Sequence, residues 1–206
     1  MKVYEFKGFP NPQRVRIALA EKGLMGRVDF IHVDVPKGEQ RKPEFLKKNP
    51  AGAVPVLELD DGTTIAECTA ITEYVDGLVG PRTLTGETPV ERATIHMMQR
   101  RAEAWVLDAV GAYFHNATAG LGPQLEKDQN PQWGEKQRER ALEGMRYFDE
   151  VLSTKPFVAG QTFTMADITL LAGLGFARFA GIEVSPNYQN LLTWEARVAA
   201  RPSVAA

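Results

Sequence analysis

Between residues 79 and 88, in VGPRTLTGET, the apolar rhythm of the chain changes for good. Upstream, short alternating runs and helical runs take turns; downstream, only helical spacing remains. Gly, Pro and Thr crowd the junction itself, which predicts a linker. A mixed α/β unit over 1–78 followed by an all-helical unit over 89–206 is therefore expected. In the first unit KVYEF (2–6) reads as a strand. Val15, Ala18, Leu19 and Lys22 follow helical spacing, and Gly23 stands where a helix C-cap favours positive φ. VDFIHVDV (28–35) predicts a second strand. VPVLELDDGTTIAE (54–67) predicts a hairpin, with Asp61-Gly62 as its turn, and Ile71, Tyr74, Val75 and Leu78 mark one face of a helix. The order is βαβ followed by ββα.

Past the linker, Thr88-Pro89-Val90-Glu91 forms a capping box that opens a long helix to about residue 117. Asn130-Pro131 starts another, with Met145, Phe148 and Leu152 on one side. Thr164-Met165-Ala166-Asp167 is a variant capping box, Asp replacing Glu, and a last helix over 187–200 stops before Arg201-Pro202. A net charge of −2 lacks the basic footprint of a nucleic-acid binder. No apolar run is long enough to cross a bilayer, and MKVYEFKG has no signal-peptide layout, so a cytoplasmic protein is expected. The one cysteine, Cys68, rules out an internal disulfide and any Cys-x-x-Cys chemistry. With His32 and His96 scattered, no metal site is expected.

The layout and four motifs resemble the cytosolic glutathione S-transferases. NPQRVRIALAEKG is similar to that family's first helix, KPEFLKKNPAGAVPVLELDDG to its entry into the third strand, IAECTAITEYVD to its strand-to-helix corner, and FTMADI to its helix-6 cap. The likeness runs from residue 1 to about 202. It is nearest to bacterial and fungal members with Asn-Pro or Tyr-Pro in the first turn and a TPGLGP-like stretch, here TAGLGP. The resemblance implies a thioredoxin-like N-terminal domain, an all-helical C-terminal domain, glutathione as cosubstrate and a homodimer. Met97, Met98, Arg100 and Arg101 lie on the part of the long helix where the family pairs.

It also implies a tripeptide site. Val54-Pro55 is expected to be a cis bond, which turns the Val54 backbone outward so that glutathione adds as an extra strand. Glu67 and Cys68 sit at a helix start, where free N–H groups favour the γ-glutamyl carboxylate and the Glu67 carboxylate meets the ammonium. Most of the family carries Ser or Thr where this chain has Cys68, so the Cys68 backbone N–H carries that contact. Lys37 or Arg41 is expected to hold the glycyl carboxylate.

What ionises the thiol is less ordinary. A free thiol has a pKa of about 8.5, and most of the family lowers it with a Tyr, Ser or Cys near the first turn. Here those positions are Phe9, Pro10 and Asn11, of which only Asn11 donates; Tyr4 on the first strand is expected to face the core. Two sources remain: the start of the first helix, and His115 on the long helix. Gly111, four residues before His115, is expected to leave room beside the imidazole, and Thr118 is the nearest hydroxyl to steady a bridging water. Trp105 is the better candidate than Tyr113 to line the pocket of a small hydrophobic electrophile. Conjugation of the thiolate to such an electrophile is the expected reaction. A glutathione-dependent peroxidase, isomerase or dehalogenase, and a non-catalytic binding module, stand as alternatives on the same scaffold.

Overall fold

The computed structural model describes residues 1–205. Its sheet is built on β1 (Lys2–Glu5), which lies between a parallel neighbour, β2 (Asp29–His32), and an antiparallel one, β3 (Val56–Glu58). An edge strand, β4 (Thr64–Ala66), completes the order β2-β1-β3-β4. β2 is half the length of the apolar run that predicts it. After His32 the chain turns inward, and Val33 and Val35 bury their side chains beside Phe45 and Val56 rather than extending the ladder. Phe45 belongs to a single helical turn, α2 (Pro43–Leu46), and meets Tyr4 edge-on at 6.3 Å.

The first helix, α1 (Pro10–Glu21), serves two cores. Its Val15 and Leu19 pack with Val3, Leu57 and, from α3 (Cys68–Leu78), Ile71 and Val75. Its Ile17 and Ala18 face the other way, into the core of the helical half. Arg16, also buried, clasps the buried Glu5 carboxylate of β1 through Nε at 2.9 and 3.1 Å and lies over the Phe30 ring. Each charge is satisfied by the other, which is what allows both inside.

The segment after α3 is tied down by Asp76, near the end of that helix. Its Oδ2 accepts from the backbone N–H groups of Leu84 and Thr85 and from the Thr85 hydroxyl, and its Oδ1 pairs with Lys22 Nζ at 2.8 Å. Helix α4 (Pro89–Ala102) then starts from the Thr88–Glu91 capping box. It runs without a break through a π-helical turn, Glu103–Leu107, into α5 (Asp108–Ala117). Around this rod pack α6 (Pro131–Leu152), α7 (Met165–Phe179) and α8 (Gln189–Ala199), with Met98, Val106, Met145, Phe148, Leu170 and Trp194 buried between them. The π turn sits where two glycines press in. A Cβ at Gly144 would stand 2.6 Å from the Trp105 carbonyl oxygen, and one at Gly173 would stand 3.0 Å from a Val106 methyl.

Candidate functional site

Two cavities open between the sheet half and the helical half. The smaller, of ≈220 Å³, is polar. Val54, Pro55, Glu67 and Cys68 line it from one side, and Arg100, Glu103 and Asp108 from the long rod. The larger, of ≈690 Å³, is apolar, with walls of Phe6, Phe9, Phe114, Leu171, Phe176 and Phe179. Their linings share two residues, Asn11 and Val54.

Val54-Pro55 is a cis bond, and the Val54 N–H and C=O enter no hydrogen bond among the described residues. The loop before it is fixed by Asn49, whose side chain donates to the Ala53 carbonyl at 2.8 Å and accepts from Ala51 N–H at 3.1 Å. Glu67 is the only non-glycine with positive φ among the described residues, at 67°. Such a conformation costs on the order of 1–3 kcal/mol and persists where the surroundings impose it. It turns the chain from β4 into α3 so abruptly that the N–H groups of Cys68, Thr69 and Ala70 have no partners among the described residues. They point, with the positive end of the helix dipole, where an anion is favoured. The Cys68 side chain takes no share in this. It is buried, its Sγ donates to the Asn11 carbonyl at 3.3 Å, and burial pushes its pKa up to about 11.

At the wall between the cavities, the N-cap residue of α1 is Phe9, whose side chain cannot cap the helix. Pro10 and Pro12 have no N–H, and Gln13 N–H is already bonded to the Phe9 carbonyl at 3.0 Å. The Asn11 N–H is thus the one free backbone donor of this first turn among the described residues. The Asn11 carboxamide oxygen accepts from Arg14 at 2.9 Å, which leaves its NH₂ without a partner there. Arg14, buried and also bonded to Glu103 at 2.9 Å, lines the polar cavity; nothing in the sequence singled it out, because an Arg in a helix usually points to water.

His115 lines the apolar cavity, 44% exposed, with Nδ1 2.6 Å from Glu126 Oε1. Several expectations about its neighbourhood need correcting. Thr118 does not present its hydroxyl to the cavity. It donates to the Phe114 carbonyl at 2.7 Å and accepts from Gly120 N–H at 3.0 Å, a local turn that absorbs both functions. Gly111 makes room for Phe176, whose ring edge would lie 3.5 Å from a Cβ there, rather than for the imidazole. Trp105 leaves the pocket altogether and stacks edge-on against Tyr147 at 4.9 Å. The π turn is the reason. Trp105 lies inside that turn, whose wider coil moves it further from the His115 face than the roughly 80° of straight helical counting.

Lys37 and Arg41 line neither cavity. Lys37 is exposed and holds Asp34 at 2.7 Å, while the charge of Arg41 reaches Glu126. Tyr4 donates its hydroxyl to Glu58 at 3.0 Å and packs beside Phe45 and Val56, away from both cavities. Of the rod residues expected at a pairing surface, Met97 and Arg100 are exposed, Met98 is buried, and Arg101 donates to the Tyr147 hydroxyl. No group of His, Cys, Asp and Glu able to hold a metal occurs among the described residues.

Residues 10–78 match the model of the glutathione S-transferase N-terminal domain, and residues 109–202 match that of the C-terminal domain. Glutathione S-transferase 2 of Saccharomyces cerevisiae is 56% identical over 204 residues, which cover 99% of this chain and 88% of the yeast protein. The crystal structure of a glutathione S-transferase domain-containing protein from Marinobacter aquaeolei superposes with a TM-score of 0.98 at 58% identity. That alignment covers 99% of this chain and 100% of the other. A glutathione S-transferase from Vibrio parahaemolyticus gives a TM-score of 0.86 at 35% identity over 100% of this chain and 96% of its own. The chain, with its thioredoxin-like sheet half and helical second half, belongs to the glutathione S-transferase family.

Proposed function

We propose that this protein transfers the thiolate of glutathione to small hydrophobic electrophiles, with the tripeptide in the polar cavity and the electrophile in the apolar one. The observation that carries the reading is the shared wall at Asn11 and Val54. A ligand lying along Val54 has its middle, cysteinyl residue at the boundary, so its sulfur faces the apolar side. The free Val54 N–H and C=O supply the strand-like pairing, and the Pro55 side of the cleft leads to Glu67. There the unpartnered N–H groups of Cys68 and Thr69, with Arg14 opposite, take the γ-glutamyl carboxylate, and Glu67 takes the ammonium. Lys37 and Arg41 remain the cations for the glycyl carboxylate; the Lys37–Asp34 pair is exposed and exchanges readily for a ligand anion.

The sulfur is activated from two sides. The Asn11 N–H and carboxamide NH₂ donate to the developing thiolate, a role that Ser, Cys or Tyr fills elsewhere in the family. His115, across the cavity, accepts the proton, directly or through a water. In a displacement on an activated aryl chloride the new bond is sulfur to carbon, chloride leaves with its electron pair, and the thiol proton passes to His115 and then to solvent. We further propose that the protein works in the cytoplasm as a homodimer. Exposed Val90 and Met97 on α4, with Leu78 and Val79 at the end of α3, supply an apolar surface for pairing.

Titration calorimetry with reduced glutathione, followed by conjugation of an activated aryl chloride, tests the reading. Binding together with turnover is expected. Binding without turnover would mark a non-catalytic module, and no heat on addition of glutathione would remove the proposal. In the same assay His115→Ala should lower kcat far more than glutathione affinity.

A further inference from the structure

Segment 118–130 folds back on the end of α5, and the side chain that anchors it is Glu126. One carboxylate oxygen, Oε1, accepts from Leu121 N–H at 3.0 Å and lies 2.6 Å from His115 Nδ1. A Cβ at Gly120, where φ is 52°, would stand 2.6 Å from that same oxygen, so glycine is what admits the carboxylate here. Gln129 Nε2 adds bonds to the carbonyls of His115 at 2.9 Å and Thr118 at 2.7 Å. The backbone around the imidazole is thereby held, and Leu121 is pinned as part of the same cavity wall as His115.

An ionised carboxylate only accepts hydrogen bonds. Burial alone would raise the Glu126 pKa, but the Leu121 N–H and the His115 bond outweigh it, with Arg41 adding its charge, and hold the group below its ordinary value. The proton in the short contact therefore sits on Nδ1, and in the neutral ring the lone pair is then on Nε2. Nε2 makes no hydrogen bond among the described residues.

We propose that Glu126 is a positioning residue for the thiol chemistry: it holds His115 as the Nδ1–H tautomer, with the unprotonated Nε2 presented to the cavity. This rests on the reading of His115 as the proton acceptor. The S–H bond of glutathione breaks, its electron pair stays on sulfur, and the proton goes to Nε2, directly or through one water. With the Thr118 hydroxyl spent on its own turn, Glu126 is the group that orients the base.

Imidazole nitrogen NMR near neutral pH reads the tautomer directly. The wild type should show His115 protonated at Nδ1, and Glu126→Ala should lose that signature. In the same variant kcat should fall on the order of tenfold, with the glutathione KM within about twofold of wild type. Glu126→Gln keeps an acceptor oxygen for both donors, so it should keep the tautomer and restore most of the turnover. Protonation at Nε2 in the wild type would overturn the proposal even if Glu126→Ala fails to fold. So would a folded Glu126→Ala with unaltered tautomer and kcat, or a folded Glu126→Gln no better than the alanine variant. Full turnover in His115→Ala would instead remove the underlying proton-acceptor reading, whereas a wrong tautomer with an inactive His115→Ala would remove only Glu126.

Discussion

The indole N–H of Trp194 in α8 donates to Oδ1 of Asp167 in α7 at 2.9 Å, with both side chains buried. The same carboxylate accepts from Val158 N–H at 2.9 Å, from Thr164 N–H at 2.9 Å and from the Thr164 hydroxyl at 3.1 Å. A residue that closes a helix cap thus also fastens the loop before the helix and the last long helix of the chain. Asp167→Ala leaves buried donors on three separate residues without an acceptor. It should cost about 3 kcal/mol of stability, where an isolated cap costs about 1. Urea unfolding checks this, and a loss under about 1 kcal/mol would mean that the network contributes little beyond the cap.

Acid should loosen the attachment of the C-terminus to α1. Glu21 takes two bonds from Arg201, at 2.9 and 2.8 Å, and one from Ser203. Burial pulls its pKa up, but these bonds outweigh that and leave it below the ordinary value of 4.5. The ionised form is therefore bound more tightly in the folded state than in the unfolded chain. Its stabilisation is fully present above pH 4.5 and is lost as the pH falls through the lowered value. Glu21→Gln should be less stable than wild type by about 1 kcal/mol at neutral pH, the partly exposed rim limiting the figure. The gap should close on acidification, as thermal melts between neutral pH and the carboxylate range would show; a gap that widened would refute the assignment.

Phe114, Phe176 and Phe179 meet as a cluster at one wall of the apolar cavity, with ring centroids 5.3 to 6.4 Å apart. Phe179 is 76% exposed, too open for a packing role alone. An aromatic electrophile stacked there gains about 0.5–1.5 kcal/mol per ring contact, so Phe179→Ala should raise its KM roughly two- to tenfold. The KM for glutathione should stay put, because Phe179 does not line the polar cavity. Steady-state kinetics with each substrate varied in turn separates the two, and a rise in the glutathione KM instead would exclude Phe179 from the electrophile side.

Cys68 should resist alkylation. With its pKa raised from 9.0 to about 11, its thiolate fraction at mild alkaline pH is roughly a hundredfold below that of an unperturbed thiol. Burial slows access further. Iodoacetamide labelling of the native protein followed by mass spectrometry should find this residue unmodified until urea is added. Rapid labelling in the native state would contradict both the burial and the Sγ–Asn11 bond.

Much of this was legible in the order of residues, because it depends on neighbours in sequence. Periodicity marks the helices, Asp61-Gly62 the hairpin, and Thr88 and Thr164 the caps. Those signals arise from backbone sterics and local hydrogen bonds that act over three or four positions. Tertiary structure alone decided the rest. It gave Glu126 to His115, set Arg14 in the polar cavity, turned Glu67 to positive φ, and inserted the π turn that rotates Trp105 away from the pocket. Each is a pairing across eleven or more residues, or a backbone irregularity imposed by packing such as the approach of Gly144 and Gly173. A side chain's partner in such cases is chosen by whatever the fold brings within three ångströms, and local sequence carries no record of that choice.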